Sequence, residues 1–295
     1  MIVMTDLESL KKIVWQRINN LVNNPKPKNW IFSKQNDSDL YLLDKEDWHW
    51  LHGYHCPANF IPGFWPHRGE KLSWFPSDDE KRFNENQDWM EQNGWTKESV
   101  YYNTNKQGFR DFSIETDVTS ETGGAIYLGC SCTFGTGVNL EQTFSWLAHQ
   151  QYLSHMRYLN FGMPGAGLDT YYRVLKSYFD IVKPELVVVS HPWAVSRSEK
   201  FDTQLSKWES LNVRSTSIDP AEYFCNEASV LRFHKNLDAI QWMCHKAGCK
   251  FILFDVLSTD NQNKFVDYAR DMEHPGPKQH TIWSNKLLEL MHETL

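Results

Sequence analysis

The apolar positions of this 295-residue chain fall into three regimes. In "TDLESLKKIVWQRINNLV" the residues Leu7, Leu10, Val14, Ile18 and Leu21 recur at helical spacing, and Thr5 with Glu8 three positions on has the form of a capping box. The spacing predicts a first helix that ends by "NNPKPKN", where two prolines remove backbone donors. From Trp30 to about Gln107 neither a strand period nor a helix period is sustained. Aromatics, prolines and acidic clusters such as "KEDWHW" and "PSDDEK" predict short elements and long loops there.

After Gly123 the pattern becomes regular. "AIYLG", "MRYLNF", "ELVVVS" and "KFILFD" read as strands, with "LEQTFSWLAHQQYLS", "LDTYYRVLKSYFDIV" and "SVLRFHKNLDAIQWMCHKAG" between them as helices. Residues 278–295 read as a closing helix. Strands alternating with helices imply right-handed crossovers and a mainly parallel sheet covered on both faces, a three-layer α/β/α sandwich. The unbroken apolar runs "LVVV" and "FILF" fit strands buried on both sides. No internal repeat is visible. The expected division is an aromatic-rich N-terminal extension, 1–102, packed on an α/β domain, 103–295.

Composition narrows the partners. Eight of the 13 tryptophans (Trp15, Trp30, Trp48, Trp50, Trp65, Trp74, Trp89 and Trp95) fall in the first 100 residues, which sets that part apart from the α/β body. A net charge of −7 argues against a nucleic-acid partner, which needs a basic face. No run approaches the roughly 18 apolar residues of a membrane span. The start "MIVMTDLESL" turns polar after four residues, so no export signal and a cytoplasmic location are expected. The six cysteines are too scattered for a disulfide framework and are expected as thiols.

The candidate chemistry sits at the ends of the strands, where sites form in sheets of this kind. "YLGCSCTFGTGV" breaks an apolar run into glycine, with Ser131 between Cys130 and Cys132. It admits three readings: a serine nucleophile at the apex of a tight turn, a thiol site, or a metal clip. A lone C-x-C lacks the matched second pair that zinc takes, and "HWLHGYHC" (His49, His52, His55, Cys56) reads as a packed aromatic segment. We expect no metal and no cofactor. Near the other end, "YARDMEHPGPKQH" places Asp271 three residues before His274. A serine hydroxyl needs a base, and a histidine base works best when a carboxylate fixes its tautomer; one loop here can deliver both.

With these residues the chain resembles the SGNH (GDSL-like) hydrolases, esterases and lipases. Gly129-Cys130-Ser131 stands where that family has Gly-Asp-Ser, as in a sub-branch with cysteine in the middle position. "TFGTGV" and the upstream "NKQGFRD" (Asn105 to Asp111) resemble the extension and the lead-in of its bacterial and phage members. "YLNFGMPGAG" matches the block that supplies an oxyanion glycine, placing that role on Gly165, and the terminal D-x-x-H-P matches at Asp271, His274 and Pro275. The resemblance covers roughly residues 103 to 290. It implies a flavodoxin-like sandwich and a serine esterase in which Ser131 attacks, His274 takes the proton, Asp271 orients the imidazole, and the N–H groups of Ser131 and Gly165 hold the oxyanion.

One departure is large. The third block of the family offers an asparagine as a further oxyanion donor, and this chain has "SHPWAVSRSEKF" there. His191, Arg197 and Asn160 are the substrate-binding candidates, with Arg197 preferred because its always-charged fork suits an anion. The expected partner is a small-molecule or glycan ester, for instance an O-acetyl group, with the front tryptophans walling the site. The alternative is a non-catalytic binding or structural module on the same fold. Oligomeric state is not legible.

Overall fold

The computed structural model describes residues 68–75, 77–190, 197–202, 207–212, 227–256 and 265–295, all within one compact unit spanning Gly53–Leu295. The first helix, the tryptophans before Trp74, the histidine cluster at 49–56 and His191 lie outside the described residues.

The centre is a four-stranded parallel sheet. Its strands are β3 (Ala125–Gly129), β4 (Tyr158–Gly162), β5 (Leu186–Ser190) and β8 (Lys250–Phe254), in the order β4-β3-β5-β8. Register runs from Ala125 opposite Tyr158 and Leu186, and from Leu186 opposite Lys250. Side chains alternate across the sheet, as the strand period requires. Ile126, Leu128, Val187 and Val189 face α5 (Leu168–Val182) and α6 (Glu227–Ala247), in one core with Tyr171, Val174, Phe179 and Ile240. Ala125, Tyr127, Leu186 and Val188 face α4 (Phe144–Tyr152) and α7 (Pro277–Thr294), in a second core with Phe144, Ala148, Trp283 and Leu287. The three-layer α/β/α sandwich read from the sequence is therefore the observed architecture, strand for strand. Among the described residues no helix is long and apolar enough to cross a membrane.

Two differences from the sequence reading have local causes, and the front segment keeps to the short elements expected there. The stretch from Leu140 is not one helix: a 3-10 turn at Leu140–Gln142 is closed by a capping box on Asn139, and Thr143 then caps α4 by accepting from the Trp146 N–H at 3.4 Å. A hairpin of β6 (Arg197–Asp202) and β7 (Lys207–Asn212) follows β5, paired from Arg197 opposite Asn212. Its segments "RSEKFD" and "KWESLN" are too polar to show a strand period. In the front segment, α1 (Glu80–Glu85), α2 (Gln87–Gln92) and the short pair β1 (Lys71–Leu72) and β2 (Tyr102–Asn103) enclose a third core of Phe75, Phe83, Met90, Trp95, Val100 and Tyr102. Phe134, Val138 and Ala269 belong to the same cluster, so this segment packs on both loops that carry the candidate chemistry.

Candidate active site

Ser131 is the first residue of a one-turn helix, α3 (Ser131–Phe134), that leaves the carboxyl end of β3. Three features make the turn this tight. Gly129 has no room for a Cβ, because Thr133 Oγ1 and the Ser190 hydroxyl, hydrogen-bonded to each other, occupy that place. Gly135 ends the helix in the left-handed region at φ 83, its N–H donating to the Ser131 carbonyl at 2.8 Å. The Arg110 side chain, fully buried, gathers the carbonyls released at the end of the turn: Phe134 at 2.9 Å, Val138 at 2.7 Å, and Gly135. Its guanidinium stacks on Tyr102 and Phe134, and burial pulls its pKa down to about 10. The arginine of "NKQGFRD" thus holds the serine turn by its back.

Asp271 and His274 are brought in by a loop between β8 and α7. The Asp271 carboxylate accepts from the backbone N–H of His274 at 2.9 Å and of Glu273 at 3.1 Å, folding the D-x-x-H segment on itself. Met272 takes a positive φ of 61 at the corner. The second carboxylate oxygen meets His274 Nδ1 and accepts from the Ser77 hydroxyl at 3.0 Å. His274 Nε2 lies 2.7 Å from Ser131 Oγ. The three side chains form one chain of hydrogen bonds, with the Asp271 side chain fully buried and that of His274 18% exposed, so the carboxylate is shielded and the imidazole stays open.

The electrostatics suit that order. Burial would push the Asp271 pKa up, but the hydrogen bond and charge of His274 bring it below the usual carboxylate value. Burial would pull His274 down, and its hydrogen bond and charge interaction with Asp271 raise it above the usual 6.5. With Nδ1–H donated to the carboxylate, Nε2 is the acceptor facing the serine hydroxyl.

The cysteines beside Ser131 are both buried. Cys130 Sγ is 4.0 Å from the serine hydroxyl, too far to compete with the imidazole. The Cys130 thiol is drawn well down by its hydrogen bond with Cys132, against burial, and Arg197 and His274 add to the effect; Cys132 is pushed up in turn. Gly165 lies in the turn after β4 at φ 80, a conformation glycine adopts without strain. That turn starts beside the serine turn, since Met163 N–H donates to the Gly129 carbonyl at 2.9 Å.

Asn160 is placed differently from the expectation. It is 2% exposed; its amide donates to the Thr133 carbonyl at 2.8 Å and to Tyr158, and its oxygen accepts from Gly162 N–H at 2.8 Å. These bonds pin the end of β4 against α3, a structural task. Trp74 covers the guanidinium of Arg270 at 4.1 Å and touches Phe83. It braces the acid-base loop.

Several residues at the site carry no recognisable pattern in the sequence. Arg270, fully buried next to Asp271, pairs with buried Asp78 at 2.7 Å and donates to the carbonyls of Lys97 and Ser73, each at 2.6 Å. Tyr102 donates to Asp78 at 2.5 Å and accepts from Gly137 N–H at 2.8 Å, and Arg270 N–H donates to the Gly137 carbonyl at 3.0 Å. Arg82 reaches the Asp271 carbonyl at 2.9 Å. The serine loop and the acid-base loop are therefore tied through Asp78, Tyr102 and Gly137. The only trace in the sequence is charge, in "SDDEK" and in the arginine before Asp271.

No protein-family model and no curated protein matches the chain. Among solved structures it is similar to TesA, at 12% identity over 58% of this chain and 99% of that one, with a TM-score of 0.42. It is similar also to the psychrotrophic esterase EstA from Pseudoalteromonas sp., at 12% identity over 58% and 97% of the two chains, with a TM-score of 0.38. A member of the lipolytic protein G-D-S-L family from Veillonella parvula gives 10% identity over 58% and 99%, with a TM-score of 0.31.

Proposed function

We propose that the protein is a serine hydrolase of carboxylic esters. The observation that carries this reading is the hydrogen-bonded line from Ser131 Oγ to His274 Nε2, 2.7 Å apart, and from His274 Nδ1 to the buried carboxylate of Asp271. In the first step Ser131 Oγ bonds to the acyl carbon while its proton passes to Nε2. The negative charge that develops on the acyl oxygen is taken by the N–H of Ser131, at the N-terminal end of α3, with Gly165 as the second donor that the resemblance implies. Collapse breaks the bond to the alcohol, which leaves with the proton from Nε2. Water then adds to the acyl-serine, gives its proton to Nε2, and releases the acid as the proton returns to Ser131.

The sequence resemblance to the SGNH hydrolases supports the same reading, since its motifs fall on the residues that meet here. The test is labelling with a fluorophosphonate. The wild type, Cys130→Ser and Cys132→Ser should label and Ser131→Ala should not. Labelling that survives in Ser131→Ala removes the assignment, and an unlabelled wild type favours the non-catalytic module.

A further inference from the structure

The hairpin that stands where an oxyanion asparagine was looked for brings a cation instead. Arg197 opens β6, and Glu199, two residues on, lies on the same face of the strand. Glu199 is locked into α5: Arg173 Nε and Nη2 donate to its two oxygens at 2.7 and 2.6 Å, and the Thr170 hydroxyl adds a third bond at 2.9 Å. Both side chains of that pair are under a tenth exposed. Gly167, at the start of α5, lets the strand come close, for a Cβ there would lie 2.9 Å from the Cβ and the carbonyl oxygen of Arg197. The strand is thus fixed from two sides, and Arg197 is set with little freedom.

Among the described residues its guanidinium has few partners. Nη1 donates to the Ala166 carbonyl at 3.3 Å, one residue past Gly165, and the charge of the group helps draw down the thiol of Cys130, one residue before Ser131. Among the described residues no carboxylate pairs with it. The other buried arginines are provided for: Arg270 by Asp78, Arg173 by Glu199, and Arg110 by four backbone carbonyls. A guanidinium carries five N–H donors in a planar fork that matches a carboxylate. Arg197 is half-buried, neither sealed in the core nor loose on the surface.

We propose that Arg197 binds a carboxylate carried by the substrate, so that this hydrolase acts on esters with an anionic group near the scissile bond. The proposal rests on the hydrolase reading above and narrows its substrate class. The carboxylate has two possible sources, the acyl side or the alcohol side, and the assay separates them. Rates are compared for mono-p-nitrophenyl succinate, for an O-acetylated galacturonate and for neutral p-nitrophenyl butyrate, with wild type, Arg197→Met and Arg197→Lys. Arg197→Met should lower kcat/KM for one carboxylate ester, relative to the neutral one, by roughly tenfold or more, the size of a hydrogen bond to a charged group, and chiefly through KM. Arg197→Lys should recover part of that preference, and the ester affected tells on which side the carboxylate lies. Equal losses on all three esters overturn the proposal and make Arg197 an oxyanion donor or a strut. Calorimetry of succinate with Ser131→Ala needs no turnover: binding there, lost in Ser131→Ala/Arg197→Met, supports the anion site, and no binding to Ser131→Ala counts against it. An unlabelled wild type in the fluorophosphonate test would sink the hydrolase reading while this binding result still judges Arg197.

Discussion

His274 Nε2 accepts a proton only while the imidazole is neutral, and its contact with Asp271 raises the pH at which that state is reached. On the proposed mechanism, activity should therefore fall as pH drops through the raised pKa. The acid limb of kcat/KM should have its midpoint above the ordinary value of about 6.5. Asp271→Asn removes the interaction that raises it, so the limb should move to lower pH while the rate falls by roughly 10⁴-fold, as when an orienting carboxylate is lost from a serine triad. A midpoint unchanged in Asp271→Asn would show that this carboxylate does not set the base. At this scale the sequence was readable where spacing carried chemistry: Ser131 in its glycine turn, and Asp271 three before His274. Asn160 was harder, because an asparagine near a strand end reads the same whether its amide meets a ligand or, as here, Thr133 and Gly162.

Whole elements were legible where burial imposes a period. The four strands and α5 followed from apolar runs and helical spacing, since both faces of the sheet are covered. The hairpin β6–β7 was not legible, because its tie to the body is the buried Arg173–Glu199 pair, and the front segment was legible only as short elements, because its small aromatic core and the Arg270–Asp78 pair leave no periodic trace. Their weight is testable. Asp78→Asn strips the counter-charge from fully buried Arg270, and breaking one side of a buried pair costs about 3–5 kcal/mol. Urea unfolding should show a loss of that order, with the ester rate falling in the remaining folded protein because Arg270 adjoins Asp271. A variant as stable as wild type would mean that the pair does not hold the loop. Gly137→Ala tests the junction of the two loops. At φ 77, with its new Cβ 2.6 Å from that of Ala269, it should separate Ser131 from His274 and lower kcat more than it raises KM.

Across the whole molecule the site is assembled from parts distant in the chain. Ser131 and His274 are 143 residues apart, and the loops that carry them follow β3 and β8, which flank β5 in the sheet. Parallel strands send their following loops to one end, so a serine after one strand and an acid-base loop after another meet there without special pleading. What the sandwich does not supply is the last ångström of alignment, and that comes from the front segment through Ser77, Asp78, Arg82 and Tyr102. The most direct test of the whole account is to quench the protein in acid soon after mixing with p-nitrophenyl acetate and map the acetyl group by peptide mass spectrometry. The account predicts one acetyl on Ser131, held as an oxygen ester and absent in Ser131→Ala. Turnover with the acetyl group on Cys130 or Cys132, as a thioester, would contradict it.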